Sequence, residues 1–418
     1  MKVYNGYPIT QCSDIIQAMS TKLEEIVSLA KRRGFIYQGS EIYGGLAGTY
    51  DYGPLGTLLK RNVVNEWLKF FVDGWDDMYQ IDSSILMNSK VWQASGHVDT
   101  FTDPLEDGSK FNTMFQTKVG VGEESLTTYL RPETAQGMFT NFKNIVDTFS
   151  PDLPFGIAQV GKSFRNEISP RDFIFRTREF EIMEFEYFLH PDDWEKKFEK
   201  WRNDMHAWFK LIGLPENKIK EIEVPVEDRA HYSKRTIDFE YDYPGLGFAE
   251  IGGLAYRTDF DLKNHQKHSG KNMEYRPKDG SEPFVPHVIE PTFGVDRNFL
   301  AVLSEAYSED DQGGEKRIFL KLPDNLAPYK VAVCPLAKNK PELVDKAREV
   351  YKNLKKELGG GVMWTDTGNI GKNYRKADEI GVPKFITVDF QTLDDDTVTI
   401  RDRDTTAQNR AKIDELNS

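Results

Sequence analysis

The sequence predicts an α+β protein in which an antiparallel sheet flanked by helices is followed by a smaller α/β module. Three observations predict it. The middle of the chain runs through short stretches of alternating apolar and polar residues with few helices between them, the pattern of an antiparallel sheet. After Pro323 strand-like and helix-like stretches alternate instead. Charge divides at the same place: residues 324–418 carry 16 basic and 16 acidic residues, so the whole net charge of −13 falls on 1–323. Two domains are expected, 1–323 and 324–418.

The elements follow in order. "TKLEEIVSLAKRRG" (21–34) places Leu23, Ile26, Val27 and Ala30 on one helical face and ends on Gly34, a glycine stop. "GSEIYGGLAGTYDYGPLG" (39–56) is rich in glycine and aromatics and reads as a turn-rich segment. Pro54 opens a helix over about 54–71, with Leu55, Leu58, Leu59, Val63, Trp67 and Phe70 near helical spacing. "PFGIAQVGKSF", "FEIMEFEYF", "TIDFEYDY" and "FAEIGGLAYRTDFDL" are strands, interrupted by a helical insertion over about 191–230 that "PDDWEKKFEKWRNDMHAWFKLIG" opens. In the last module "YKVAVCPL", "GVMWTD", "KFITVDF" and "TVTIRDRD" are strands, and "KPELVDKAREVYKNLKKELGGG" and "IGKNYRKADEIG" are helices.

Composition narrows the function classes. The 418 residues suit two or three domains, and 39% hydrophobic with 12% aromatic residues is that of a globular protein. No apolar run approaches the ~20 residues of a membrane span. The first residues lack a basic start followed by an apolar stretch, so no secretory signal is expected and a cytoplasmic setting is. Cys12 and Cys334 are far apart and form no C-x-x-C pair, which argues against a disulfide framework or a structural zinc site. The acidic balance excludes non-specific coating of nucleic acid, so such a partner has to be read through local basic groups.

"FRNEISPRDFIFRTREFEIMEFEYF" (164–188) interleaves arginines, carboxylates and aromatics. Read as two strands joined by a loop, it puts Arg165 and Glu167 on one face, and Arg178, Phe180, Ile182 and Glu184 on one face of the next strand. Arg176 then lies at the loop edge. Guanidinium groups fork phosphate oxygens, a carboxylate accepts from an exocyclic amine, and a ring stacks on a purine. The set suits a nucleoside triphosphate lying on a sheet. A salt-bridged surface, with exposed pairs contributing at most ~1 kcal/mol each, is the alternative the pattern leaves open. "GNIGKN" (368–373) lacks the G-x-x-x-x-G-K-[ST] spacing, so no P-loop is present. In "DLKNHQKHSG", His265 and His268 read as a solvated loop, and His97 in "ASGH" as a structural hydrogen bonder.

"FRNE" with "FRTREFE" resembles the second signature motif of class II aminoacyl-tRNA synthetases, "EPTFGVDRNFLAVL" (290–303) the third, and "GPLGTLLKRNVVNEW" the first, a dimer-interface helix. "GSEIYGGLAGTYDYGPLG", "VWQASGH", "LRPETAQGMF", "PFGIAQVGKSFRNE" and "YRTDFDL" resemble glycyl-tRNA synthetases of the homodimeric type, in order along nearly the whole chain. The resemblance implies a class II sheet and a C-terminal anticodon-binding domain. It implies glycine, ATP, Mg²⁺ and tRNA(Gly) as ligands of a homodimer.

Carried over by position, the resemblance gives Arg165 the α-phosphate and activated carboxylate, Glu167 the adenine amino group and Phe180 the ring. Arg176 and Arg297 take the outer phosphates, and Glu250 helps hold Mg²⁺. Asn166, Phe175, Arg178, Ile251, Gly294, Val295 and Asp296 complete the implied ATP site. Glu133, Ile182, Glu184, Arg257, Glu290 and Thr292, with Phe180 and Gly294, form the implied glycine site; carboxylates suit the ammonium, and filled space excludes a methyl. Lys372, Arg375, Lys376, Arg401 and Arg403 are the implied tRNA contacts, the first three near a helix start where phosphates are favoured.

Two features depart from these relatives. "TFTDPLEDGSKFNTMF" (100–115) bridges with a turn a place where they carry a sizeable insertion, from which a substrate-side arginine and acceptor-end contacts are expected. Thr292 stands where they have serine. The other readings are a class II enzyme for a different small amino acid, and a non-catalytic nucleic-acid-binding descendant. The glutamate-rich "RPE" and "EPT" segments argue against the first, and the retained Arg165, Glu167, Arg176 and Arg297 against the second.

Overall fold

A computed structural model describes residues 22–105 and 107–416, together with the backbone of 3–4 and 7–8. Cys12 lies outside the described residues. The chain clusters into two compact units, one of Gln38–Asp51 and Val64–Leu300, the other of Met1–Tyr37, Tyr52–Val63 and Ala301–Ser418.

In the first unit the described residues form a seven-stranded sheet. Its strands are β1 (Met78–Gln80), β2 (Phe155–Phe164), β3 (Glu179–Leu189), β4 (Ile219–Glu223), β5 (Arg235–Tyr243), β6 (Gly247–Thr258) and β7 (His287–Gly294). They lie in the order β4-β5-β6-β7-β3-β2-β1, antiparallel except for the β2–β1 edge. Register positions the site. Glu184 of β3 stands opposite Gln159 of β2 and Thr292 of β7, and Thr292 stands opposite Gly253 of β6.

Alternation along β3 separates two environments. Met183, Phe185 and Tyr187 are buried on one face. Phe185 packs there against Trp67, Phe71 and Trp201, and Tyr187 against Trp201. Phe180, Ile182, Glu184, Glu186 and Phe188 share the other face, which goes from half-buried at Phe180 to fully buried at Phe188. Phe188 ends under a helix, Ala135–Phe149, whose Phe139 and Phe142 rings it meets.

Several local expectations change. β2 stops at Phe164, and Arg165–Glu167 follow as a tight turn in which Glu167 N–H donates to the Arg165 carbonyl at 2.8 Å. The insertion expected over 191–230 is helical mainly at Trp194–Leu211; residues 219–223 instead complete the sheet edge as β4. His265 lies on a helix, Phe260–Ser269, and is buried with Nε2 2.8 Å from Gln136 Oε1, so it is no solvated loop residue.

The second unit holds a five-stranded sheet of β8 (Val331–Pro335), β9 (Val362–Trp364), β10 (Lys384–Val388), β11 (Thr397–Asp402) and β12 (Gln408–Lys412), ordered β9-β8-β10-β11-β12. Pro341–Glu357 and Ile370–Glu379 are helices. Its apolar core joins Val331, Val333, Ala347, Val350, Ile386 and Val398. A hairpin, Tyr307–Gln312 with Glu315–Leu320, belongs to this unit because buried Arg317 donates to Asp378 at 3.1 Å. Arg32 and Arg33, on the helix over 22–33, likewise pair with Glu379. Among the described residues no helix is long and apolar enough to cross a membrane.

Candidate active site

A cleft of about 630 Å³, including its solvent-open mouth, opens on the upper part of the β3 face. It is lined by Arg165, Glu167, Phe175, Arg176, Phe180, Ile182, Glu250, Thr292, Gly294, Asp296 and Arg297 from the expected set. Ile174, Thr177 and Glu181 also line it and were not expected. The loop supplies Phe175 and Arg176, the end of β7 Gly294, and the helix Val295–Ala306 supplies Arg297.

The cleft's charges hold each other in place. Arg176 Nε donates to Glu167 Oε2 at 2.7 Å, and Arg297 Nη1 to Glu250 Oε2 at 2.8 Å. Arg297 also lies over the Phe175 ring at 4.5 Å, and Arg165 near the Phe180 ring at 5.3 Å. Arg165 Nε donates to the Pro132 carbonyl at 3.1 Å, which ties the cleft to the "RPE" segment. Burial, with Glu250 and Glu240 beside it, pushes the Asp238 carboxyl up to about 6. Glu250, Glu240 and Asp238 thus lie near one another, with Arg297 as the cation paired to Glu250.

Four residues of the expected ATP site lie outside the cleft lining: Asn166, Arg178, Ile251 and Val295. Arg178 braces the loops, since Nε donates to the Glu167 carbonyl at 3.2 Å and Nη1 to Ala47 at 2.7 Å. Asn166 N–H donates to the Thr113 carbonyl at 2.7 Å. Ile251 and Val295 are buried apolar side chains.

Below the cleft lies a buried ionic cluster, reached through Thr292, whose Oγ1 donates to Glu184 Oε2 at 3.2 Å. The other Glu184 oxygen accepts from Thr134 N–H at 3.1 Å and from the Thr134 hydroxyl. Arg257, 1% exposed, donates to Asp261 at 2.9 and 3.0 Å and to Glu290 at 2.8 Å. Its guanidinium lies 3.8 Å from the Tyr232 ring centroid. Glu133 accepts from Gln136 Nε2 at 3.0 Å and lies 3.1 Å from His97 Nε2. All the expected glycine-site residues therefore gather at the cleft or directly beneath it.

Carboxyls outnumber cations here, and burial raises the cost of ionising them. Burial pushes Glu290 up to about 8 although Arg257 opposes it, and pushes Glu184 up as well. Glu186 is raised well above the ordinary carboxylate range, by burial and then by Glu290. Both its oxygens are buried without a hydrogen-bond partner among the described residues. Sequence reading missed Glu186, although its place two residues after Glu184 in "MEFE" puts it on the same strand face.

Of the basic residues expected to meet tRNA, Lys372 and Arg375 are exposed and Lys376 half-buried on Ile370–Glu379, where Arg375 pairs with Glu315. Arg401 and Arg403 are buried, which removes them from the expected set. Arg401 forks Asp378 at 2.8 and 2.9 Å, and Arg403 donates to the Gly381 and Leu322 carbonyls. Arg401 lies on β11 and Arg403 just after it, and both side chains are covered.

Comparison with known proteins agrees with this architecture. Residues 115–307 match the family described as tRNA synthetase class II core domain (G, H, P, S and T), and 330–418 match Anticodon binding domain. A glycine–tRNA ligase of Deinococcus radiodurans is 43% identical over 495 aligned positions, covering 95% of this chain and 98% of that protein. One of Malacoplasma penetrans is 44% identical over 455, covering 95% and 97%. Both alignments are longer than this chain's 418 residues, so these relatives carry segments it lacks. A solved Giardia lamblia prolyl-tRNA synthetase in complex with prolyl-adenylate superposes with a TM-score of 0.75 over 96% of this chain and 75% of that one, at 18% identity, a likeness of fold. With such identity across nearly the full length of both chains, this protein belongs to the glycine–tRNA ligase family of class II aminoacyl-tRNA synthetases.

Proposed function

We propose that this chain joins glycine to ATP as glycyl-adenylate and passes the glycyl group to tRNA(Gly). The observation that carries this reading is the arginine-lined cleft joined through Thr292 to a buried cluster of excess carboxylate. The first suits a polyphosphate and the second an ammonium. The two are adjacent, so a bound amino acid's carboxylate would face the cleft.

In the first step an oxygen of the glycine carboxylate attacks the α-phosphorus, and the bond to pyrophosphate breaks. Arg165 meets the charge that builds on the α-phosphate, while Arg176 and Arg297 release their carboxylate partners to hold the outer phosphates. Glu167, freed in turn, accepts from the adenine amine, and Phe180 stacks on the ring. In the second step a hydroxyl of the tRNA's terminal ribose attacks the glycyl carbonyl and AMP leaves. Positioning and fixed positive charge supply this catalysis without a protein nucleophile.

The carboxylate oxygens of Glu250 and of the nearby Glu240 and Asp238 are donors that fit a hard cation. Glu250 would contribute one carboxylate to Mg²⁺, and the ion would neutralise phosphate charge. Among the described residues no three His, Cys, Asp or Glu side chains form a metal site, so phosphate oxygens and water would complete the shell.

Glu133, Glu184 and Glu290 read the ammonium, and Arg257 keeps the cluster from repelling itself. Residues 1–323 would form the catalytic domain and 324–418 the anticodon-binding domain, where Lys372, Arg375 and Lys376 meet phosphates. Pro54–Leu68 would be the interface helix of a homodimer, and the site of action the cytoplasm. The test is charging of total tRNA with glycine and ATP. Glycyl-tRNA should form with the intact chain and be lost in Arg165→Ala; no charging by either, despite adenylate formation, would restrict the function to activation.

A further inference from the structure

We infer that His97 is a positioning residue for amino-acid recognition, fixing the carboxylate of Glu133 in the orientation that receives the ammonium. The inference rests on the activity proposed above and adds a residue to its glycine site.

The argument begins with the imidazole. His97 is 5% exposed and opens a short helix, His97–Thr100, after Gly96. Gly96 adopts φ 82°, a left-handed conformation that glycine takes without strain and that swings the chain between Ser95 and His97. The turn lets Ser95 Oγ approach His97 Nδ1 at 2.8 Å. The other nitrogen, Nε2, stands 3.1 Å from Glu133 Oε2. Trp92 meets the ring edge-on with centroids 5.6 Å apart, and Phe101 lies on it at 5.2 Å. Both nitrogens and the flanking rings therefore define one orientation. Neither nitrogen is left over for a substrate proton, which argues against a general base.

Glu133 needs such a hold. It comes just before the helix Ala135–Phe149, in the segment "RPET". Its oxygens are divided between two donors: Oε1 takes Gln136 Nε2 at 3.0 Å, and Oε2 faces His97. Gln136 is itself fixed, since Nε2 also donates to Asp261 at 3.0 Å and Oε1 meets His265 Nε2 at 2.8 Å. Asp261 in turn holds Arg257, which holds Glu290. One continuous network thus runs from Ser95 to two of the three ammonium-reading carboxylates. Each Glu133 oxygen keeps lone-pair capacity for an N–H of the ligand. Burial works against ionising Glu133, but His97, Arg257 and Gln136 outweigh it and hold the carboxyl well below its usual range. Without His97, Oε2 loses its donor and the carboxylate a restraint on its rotation.

The test uses glycine-dependent ATP–pyrophosphate exchange with the intact chain and His97→Leu, His97→Asn and His97→Gln. Leucine supplies no donor, and asparagine reaches only the position of Nδ1. Glutamine carries an N–H at the position of Nε2. The KM for glycine should rise roughly 10–100-fold in His97→Leu and His97→Asn, with the KM for ATP nearly unchanged, and recover in His97→Gln. Ser95→Ala, a milder change, should raise the KM for glycine by a smaller factor and serves should the leucine variant not fold. An unchanged KM for glycine in the folded variants overturns the inference, as does equal damage to both KM values and kcat without rescue by glutamine. Absence of glycine-dependent exchange in the intact chain overturns the proposed activity itself.

Discussion

Arg257 is, among the described residues, the one cation that the buried cluster holds by hydrogen bonds to its carboxylates on two sides, and replacing it with methionine tests whether the cluster is organised as described. The guanidinium is 1% exposed and makes three hydrogen bonds, two to Asp261 and one to Glu290. Methionine retains part of the apolar stem and removes the charge. Asp261 and Glu290 then remain buried without their counter-ion. Breaking a buried pair from one side costs about 3–5 kcal/mol, a large part of the ~5–15 kcal/mol that holds an ordinary domain folded.

The loss depends on pH in a defined direction. Folding raises the Glu290 carboxyl to about 8, above its ordinary carboxylate range, through burial. A carboxyl so raised costs stability progressively as pH rises from its unfolded value through its folded one. Removing Arg257 raises it further and extends that cost. The variant should therefore fall behind the parent more at pH 8 than at pH 6. Urea denaturation followed by tryptophan fluorescence reads this unit well, since six of the seven tryptophans lie between residues 64 and 300. A loss below about 1 kcal/mol, or an equal loss at the two pH values, would refute the reasoning.

The remaining predictions concern ligands. Glu184→Gln removes a carboxylate from the proposed ammonium site and should raise the KM for glycine about 10–100-fold, leaving that for ATP nearly constant in exchange assays. Because Glu290 is pushed up to about 8, it must lose a proton to receive an ammonium at lower pH. The KM for glycine should thus fall between pH 6 and 8, by at most about tenfold per unit, in a parent pH profile; a flat profile counts against Glu290. Lys372→Ala should weaken tRNA binding and reduce its salt slope by about 1 in filter binding. Arg401→Ala should leave that slope alone and cost about 1–3 kcal/mol of stability, since it strips two hydrogen bonds from buried Asp378 while Arg317 still holds it.

Legibility in the sequence followed the range of the interactions involved. The strand carrying Phe180, Ile182 and Glu184 was readable because alternation and motif agreed, and the structure puts all three on one face. The end of the preceding strand was not. Whether Arg165 continues a strand depends on the turn hydrogen bonds of Glu167 and Arg178, which residue pattern does not encode. Arg401 and Arg403 were readable only as basic residues close together in the chain, and their burial depends on Asp378 and Leu322, far away in the chain. His265 sat among lysines and polar residues that suggested a loop; a helix with one buried face looks the same when that face holds His265 beside Leu262 and Asp261. Glu186 needed the fold most, because a buried carboxyl without a partner has no local signature.

The central claim is that one cleft brings a polyphosphate and a glycine ammonium together. Amino-acid-dependent ATP–pyrophosphate exchange tests it most directly, with glycine, alanine and serine compared in parallel. The account predicts exchange with glycine and little with the other two, since the proposed site reads the ammonium with carboxylates and is expected to exclude a methyl by filled space. Exchange driven equally by alanine or serine would contradict the glycine site, and no exchange with any of the three would contradict the active site as a whole.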